Sequence, residues 1–118
     1  MMIIYHNTRC KKSREGLEML ENSGKEFQVR EYLKEPLSEK ELSGLLEKLK
    51  MTPIQLIRTS ESIWKEKFQD KDLNDKELIS VMAKYPKLIE RPVIESRNSA
   101  VIGRPLINIE NFLKEFSE

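Results

Sequence analysis

The chemistry of this chain gathers around one residue. Cys10 is the single cysteine among 118 residues, and it lies in the string His6-Asn7-Thr8-Arg9-Cys10-Lys11-Lys12-Ser13-Arg14. The nucleophilic form of cysteine is the thiolate, which nearby cations and the free amides of a helix N-terminus favour. Arg9, Lys11, Lys12 and Arg14 supply positive charge around the sulfur, partly offset by Glu15. His6, four residues upstream, is placed to offer a hydrogen bond or a charge. All of these influences lower a thiol pKa, and the same amides and cations would also receive an oxyanion. Cys10 and Ser13 form a C-x-x-S pattern, with serine where a dithiol exchanger carries its resolving cysteine. No intramolecular disulfide can form, so a redox cycle must take its second thiol from another molecule. A lone cysteine is ordinarily a small buried hydrophobe, but a core residue is seldom flanked by so many cations. One Cys and one His fall short of a zinc ligand set, so no metal is expected.

The elements that must position this string follow from the pattern around it. Met2–Tyr5 is a short apolar run with the character of a buried strand. A helix is expected from about Lys11, carrying Leu17 and Leu20, with Gly24 as its stop. Phe27 and Val29 alternate with Gln28 and Arg30, a second strand. Strand, helix, strand is the unit that normally builds a parallel pair with a right-handed crossover. Cys10 thus falls at the join of the first strand and the first helix.

The stretch from about Pro36 to Pro86 reads as helical. Ser38 with Glu41 makes a capping box before Leu42, Leu45, Leu46 and Leu49, whose spacing is that of one helical face. Thr52-Pro53-Ile54-Gln55 repeats the start signal with proline at the first helical position. Asn74 with Glu77 marks a third start, followed by Leu78, Ile79 and Met82 and closed by Pro86. Trp64 and Phe68, four apart, are expected on one helical face. Strands return at Val93-Ile94 and Val101-Ile102, with Ser96-Arg97-Asn98-Ser99 as the hairpin turn between them. Pro105 is expected to open a last helix whose apolar face is Leu106, Ile109, Phe112, Leu113 and Phe116. The order is β-α-β, helical insert, β-β-α. Without the insert at about residues 36–86 this is a thioredoxin-like α/β order with a mixed four-stranded sheet, in one domain spanning residues 1–118.

Composition narrows the function classes. The 21 Lys+Arg and 20 Asp+Glu balance to a formal charge of +1, which argues against a nucleic-acid binder held by bulk charge. Leu, Ile, Val and Phe number 33 of 118 residues, enough for a packed core under a surface rich in charge. No apolar run approaches a membrane span, and Met1–Tyr5 is too short for a signal-peptide core. With one free cysteine, the expected compartment is the reducing cytoplasm.

Taken together, the motifs resemble the thioredoxin-fold arsenate reductase family of the glutathione/glutaredoxin-coupled class. Ile4-Tyr5-His6-Asn7, Arg9-Cys10, Ser13-Arg14 and Leu17-Glu18-Met19-Leu20 are similar to the family's I-Y-H-N-x-x-C-x-x-S-R signature. Arg58 in Leu56-Ile57-Arg58, Arg91 in Glu90-Arg91-Pro92-Val93 and Arg104 in Gly103-Arg104-Pro105 fall on that family's three arginine positions. The resemblance covers essentially the whole chain.

It implies that Arg58, Arg91 and Arg104 converge on Cys10 as an oxyanion clamp, for which planar, permanently charged guanidinium groups are suited. It also implies that His6 and Asn7 hold the sulfur as thiolate and that Ser13 donates a hydrogen bond to it. Lys11 and Lys12, cations directly after the cysteine, are with Asn7 further candidates for the anion site. Pro92 resembles the cis-proline of thioredoxin folds, a structural residue. The implied substrate is arsenate or a similar oxyanion. Glutathione is the co-substrate and glutaredoxin the partner, with no tightly bound cofactor.

Two departures from the family pattern stand out: Thr8 replaces a proline after the asparagine, and Lys11-Lys12 replace small residues after the cysteine. The related Spx-type regulators share the fold and bind RNA polymerase. They are similar to C-x-x-C proteins, however, and tend to lack an arginine where Arg104 stands. A glutathione-dependent oxidoreductase with another substrate is the remaining alternative.

Overall fold

A computed structural model describes residues 1–115, and the chain divides into two compact units. The first comprises Met1–Glu35 and the residues from Arg91 onward; the second is Pro36–Glu90, running past Pro86. Phe116, expected on the last helix, lies outside the described residues.

The first unit holds a four-stranded sheet in the order β2-β1-β3-β4, made of β1 (Met2–Tyr5), β2 (Phe27–Arg30), β3 (Val93–Glu95) and β4 (Ala100–Ile102). β1 and β2 are parallel, whereas β1–β3 and β3–β4 are antiparallel, so the sheet is mixed. This is the thioredoxin-like α/β arrangement. α1 (Lys11–Ser23) provides the crossover between β1 and β2 and ends on Gly24 at φ 74°, a left-handed conformation that glycine adopts without strain. α6 spans Ile107–Glu115, two residues later than the proline-opened start expected from sequence. Pro105 instead belongs to the lead-in turn, its carbonyl accepting from the Asn108 amide at 3.0 Å. Met2, Ile4, Leu20, Ile94 and Ile109 are fully buried at the centre, with Leu17, Phe27, Val101, Leu106, Phe112 and Leu113 packed around them. Burial of each large aliphatic side chain stabilises the unit by about 1.5–3 kcal/mol against exposure, before conformational entropy.

The strand register explains why this unit can assemble a site. Tyr5 pairs with Arg30 and with Val93, and Val93 pairs with Ile102. These four residues form one line across the sheet. β1 and β2 run out through that line, β3 enters there, and β4 leaves there. The pairing continues one step further, with the His6 amide on Arg30 O at 2.9 Å and the Gly103 amide on Pro92 O at 2.8 Å. The loop from His6 to Cys10, the segment after Arg30, Arg91-Pro92 and Gly103-Arg104 therefore all emerge at the same end.

The second unit is helical and built from several short helices, among them the three whose starts the sequence marks. It contains α2 (Glu39–Leu49), α3 (Pro53–Leu56), α4 (Ser62–Lys67) and α5 (Asp75–Lys84), then a 3-10 turn at Pro86–Leu88. The expected capping boxes are present on α2, α3 and α5. α5 packs against α2, α3 and the 3-10 turn, and Leu42, Leu45, Leu56, Met82 and Leu88 are essentially inaccessible. The Trp64 and Phe68 rings lie 5.9 Å apart, but Phe68 is the residue that ends α4 rather than part of its face. No helix among the described residues is long and apolar enough to cross a membrane.

Candidate active site

Cys10 occupies the N-cap position of α1 and is buried, with 9% of its surface exposed. Its loop is set by short local bonds. The Asn7 carbonyl accepts from the Cys10 amide at 3.0 Å, and the Asn7 side-chain oxygen accepts from the Arg9 amide at 3.0 Å. Arg14 reaches back from the first turn of α1 to donate to Thr8 O at 3.0 Å. Asn7 and Arg14 thus shape the loop. The resemblance gives Asn7 to the sulfur, whereas here its side-chain oxygen accepts from the loop's own backbone.

No side-chain hydrogen bond closes the N-terminus of α1, and its first turn has no acidic residue. Burial pushes the Cys10 thiol pKa up, but the Ser13 amide, the hydrogen bond and charge of Arg91, and the Lys12 amide together bring it below its ordinary value. The cation that acts here is therefore Arg91, distant in sequence, rather than the neighbouring lysines and Arg9 that the local string suggests. Lys11, Lys12 and Arg9 have exposed side chains, and Lys12 contributes through its backbone. Arg104 Nη2 donates to Cys10 Sγ at 3.8 Å, so two guanidinium groups address one sulfur.

Ser13 and His6 take roles different from those implied by resemblance. The Ser13 hydroxyl lies 2.6 Å from His6 Nδ1 and accepts from the Asn7 amide at 3.0 Å. The hydroxyl is thereby committed to the imidazole, and it is the Ser13 amide that favours the thiolate. His6 is buried. Desolvation lowers its pKa, Glu31 raises it and Arg14 lowers it, for a net downward shift. At neutral pH the ring is a neutral hydrogen-bonding partner of Ser13, not a cation beside the sulfur.

Arg58 belongs to the second unit. Its Nε pairs with Glu90 Oε1 at 3.2 Å, its amide donates to Leu88 O at 2.7 Å, and its Nη1 is buried without a hydrogen-bond partner. Pro92 follows a cis peptide bond, and a second cis bond joins Arg104 to Pro105. Pro92 is gripped by two glycines. A Cβ on Gly16 would come within 2.9 Å of Pro92 Cγ, and one on Gly103 within 2.7 Å of Ile109 Cδ1 and 2.9 Å of Pro92 Cγ. These close approaches carry no periodic signal in the sequence. Tyr32, which sequence reasoning also misses, stands two residues beyond β2 and is 1% exposed. Among the described residues, no group of three or more His, Cys, Asp or Glu is arranged to hold a metal ion.

The fold and this geometry define a class: a thioredoxin-like domain with a single activated thiol at a helix N-terminus, faced by arginines from the two sheet connections. The chain belongs to the ArsC family, whose sequence model matches residues 5–112. It is 42% identical over 104 residues to the uncharacterized protein YfgD of Escherichia coli K12, covering 86% of this chain and 87% of that one. With an arsenate reductase of Haemophilus influenzae it shares 39% identity over 106 residues, covering 88% and 91% of the two chains. The solved structure of an arsenate reductase from Vibrio cholerae superposes with a TM-score of 0.87 at 39% identity, covering 98% and 97%.

Proposed function

We propose that this protein is an oxidoreductase of the arsenate reductase type, in which the Cys10 thiolate attacks a bound oxyanion and glutathione with glutaredoxin supplies the electrons. The observation that carries the reading is Cys10 itself: its thiol is acidified at an uncapped helix N-terminus and faced by Arg91 and Arg104. Guanidinium groups there neutralise oxyanion charge, and the amides of α1 strengthen the same field. The family membership and the arsenate reductases among the relatives make arsenate the substrate to test first.

Atoms and electrons balance over three steps. Cys10 Sγ attacks arsenic and forms an S–As bond, while a hydroxyl on arsenic takes one proton and leaves as water. Arg91 and Arg104 stabilise the oxygens through this displacement. A glutathione thiolate then attacks Cys10 Sγ. An S–S bond forms, the S–As bond breaks, and its electron pair stays on arsenic, which passes from pentavalent to trivalent and departs as arsenite. Glutaredoxin attacks the glutathione sulfur of the mixed disulfide and frees the Cys10 thiolate. The external thiol is obligatory, because Ser13 stands where a resolving cysteine would be. Glutathione as reductant fits a reducing compartment, and the cytoplasm is the location this reading carries.

The test is arsenate turnover by the purified protein with glutathione and glutaredoxin, on wild type and Cys10→Ser. Turnover that requires Cys10 and both thiol partners supports the reading. Absence of turnover, together with binding to the carboxy-terminal domain of the RNA polymerase α chain, would sink it in favour of a regulator. Glutathionylation of Cys10 without arsenate turnover would instead direct the chemistry to another oxyanion or thiol substrate.

A further inference from the structure

β1 and β2 run parallel and leave the sheet at the same end, so the segments that follow them lie side by side. The His6 amide donates to Arg30 O at 2.9 Å, one step past the last strand pair. That bond sets the start of the Cys10 loop against the start of the segment after β2. Crevices outside the carboxyl ends of parallel strands are where α/β sheets commonly hold ligands. One lies here: a cavity of about 220 Å³, with His6 to Arg9 on one side and Glu31, Leu33 and Lys34 on the other. All of its walls belong to the first unit.

Both walls are fixed by local bonds. On the loop side the Asn7 amide donates to Ser13 Oγ at 3.0 Å and the Arg9 amide to Asn7 Oδ1 at 3.0 Å. On the other side the Lys34 and Glu35 amides both donate to Glu31 O at 2.9 Å, and Arg30 Nε donates to Glu35 O at 3.0 Å. The lining carries charge of both signs: Lys34 Nζ lies 3.5 Å from Glu31 Oε1, and Arg9 adds a second cation. A site for an oxyanion alone would gain nothing from a carboxylate, which repels it. The head of an amino acid, with ammonium and carboxylate on one carbon, matches both signs at once. Leu33, 43% exposed, offers apolar surface for the methylenes that follow such a head.

The volume is below the roughly 300–1,000 Å³ of pockets that enclose a whole drug-sized ligand, so the cavity takes one end of a larger molecule. Cys10 follows Arg9 directly, with Cα atoms about 3.8 Å apart. An extended tripeptide spans about 10 Å, so a thiol one residue along from a head seated in the cavity is within reach of Cys10. We propose that this cavity is the subsite for the γ-glutamyl end of glutathione: the ammonium pairs with Glu31, the α-carboxylate with Lys34 and Arg9, and the cysteinyl thiol is left to reach Cys10. The inference rests on glutathione as the reductant proposed above and names the part of the chain that holds it.

The experiment needs no arsenate. The Cys10 thiolate attacks one sulfur of glutathione disulfide, forming a mixed disulfide and releasing one glutathione thiolate, a reaction that mass spectrometry follows. Wild type, Glu31→Gln and Lys34→Ala, each checked for folding by circular dichroism, are compared with the disulfides of glutathione, γ-glutamylcysteine, cysteinylglycine and 2-mercaptoethanol. Both variants are expected to react about 3–10-fold more slowly than wild type with the two γ-glutamyl disulfides. With cysteinylglycine and 2-mercaptoethanol disulfides they should match wild type, because neither reagent carries the γ-glutamyl head. Glu31→Gln is the decisive variant. Removing a negative charge would speed attack on an anionic disulfide if only long-range attraction acted, so a slower rate there requires a paired ammonium.

A Glu31→Gln protein that reacts with glutathione disulfide at or above the wild-type rate overturns the subsite. So does an equal slowing with 2-mercaptoethanol disulfide, since the variants would then act on the thiol itself. If Glu31→Gln does not fold, Glu31→Asp, which keeps the charge and shortens its reach, serves instead. It should slow the same two disulfides by a smaller factor, and no slowing would equally overturn the idea. Selective slowing in a protein that turns over no arsenate would keep the subsite and remove the arsenate reading, so the two fail separately.

Discussion

Helix starts in this chain come in two kinds, and the contrast separates folding from chemistry. α2 and α5 begin with complete capping boxes: Ser38 accepts from the Glu41 amide at 3.1 Å, and Asn74 accepts from the Glu77 amide at 2.8 Å. The glutamate carboxylates in turn accept from the cap-residue amides at 3.0 Å. Both first turns carry acidic residues that suit the positive end of the helix dipole. α1 has none of this. Its cap residue is Cys10, its first turn carries Lys11 and Lys12, and its amides are left to favour an ionised sulfur. A neutral thiol is a poor cap, so α1 forgoes roughly 1 kcal/mol of local stability that a serine or asparagine would give. What it gains is a positive helix end beside a sulfur that two arginines address.

The sharpest way to break this contrast is Cys10→Ser. Serine is a good N-cap, so the variant should be at least as stable as wild type in denaturant unfolding, by up to about 1 kcal/mol. It should also have no thiol-dependent turnover. A Cys10→Ser protein that is markedly less stable would mean that the sulfur holds the helix and that α1 is not an exception. The pH profile sharpens the same point. The native Cys10 pKa lies below the unfolded value, so ionisation stabilises the native state above the unfolded pKa. That contribution is lost as pH falls through the native one. The stability difference between wild type and Cys10→Ser should therefore shift in favour of wild type as pH rises through this window.

Arg91→Ala is the next largest effect. On the proposed mechanism, loss of this guanidinium should lower kcat/KM for arsenate by roughly 100-fold and raise the pH at which Cys10 alkylates. Arg104→Ala should cost less in thiol acidity, because its 3.8 Å hydrogen bond to Sγ comes from an exposed side chain that solvent screens. Equal shifts in the two variants would show the arginines to be equivalent.

The same division governs what the sequence makes legible. Capping boxes, the Gly24 stop, the leucine spacing of α2 and the Ser96–Ser99 turn are legible because each is a local device whose residues lie within a few positions of one another. Cys10 is legible too, because its string is contiguous. The source of its acidity is not. The local string points to Arg9, Lys11 and Lys12, but the side chains of those residues are exposed. The arginines that bear on it, Arg91 and Arg104, lie far along the chain and come to the Cys10 end of the sheet only through a strand register no local pattern fixes. His6 has the spacing of a partner of the sulfur, yet burial keeps it neutral and Ser13 takes its Nδ1. The start of α6 falls two residues beyond Pro105 because proline at a first helical position and proline in a lead-in turn leave the same mark in sequence.

Gly103 gives a middle-sized test of how the site end of the sheet is packed. An alanine there would bring a methyl group within 2.7 Å of Ile109 Cδ1 and 2.9 Å of Pro92 Cγ. Ile109 can turn aside but the proline ring cannot, so Gly103→Ala should destabilise the protein by about 1–3 kcal/mol. Because Arg104 follows directly, Cys10 alkylation should also change. Gly44, whose added Cβ would meet nothing within 4 Å, is the control, and Gly44→Ala should be neutral or slightly stabilising.

The smallest effects belong to the conventional helix starts. Ser38→Ala and Asn74→Ala each remove an acceptor from an exposed capping box, and each should cost about 1 kcal/mol in denaturant unfolding. Neither residue bears on the sulfur, so the pH midpoint of Cys10 alkylation should stay at its wild-type value in both. Together with Cys10→Ser, these variants form a set in which a change of N-cap moves stability alone at α2 and α5 and moves chemistry at α1. A cap deletion at Ser38 or Asn74 that altered thiol reactivity would erase that distinction, because the three helix starts would then share one energetic role.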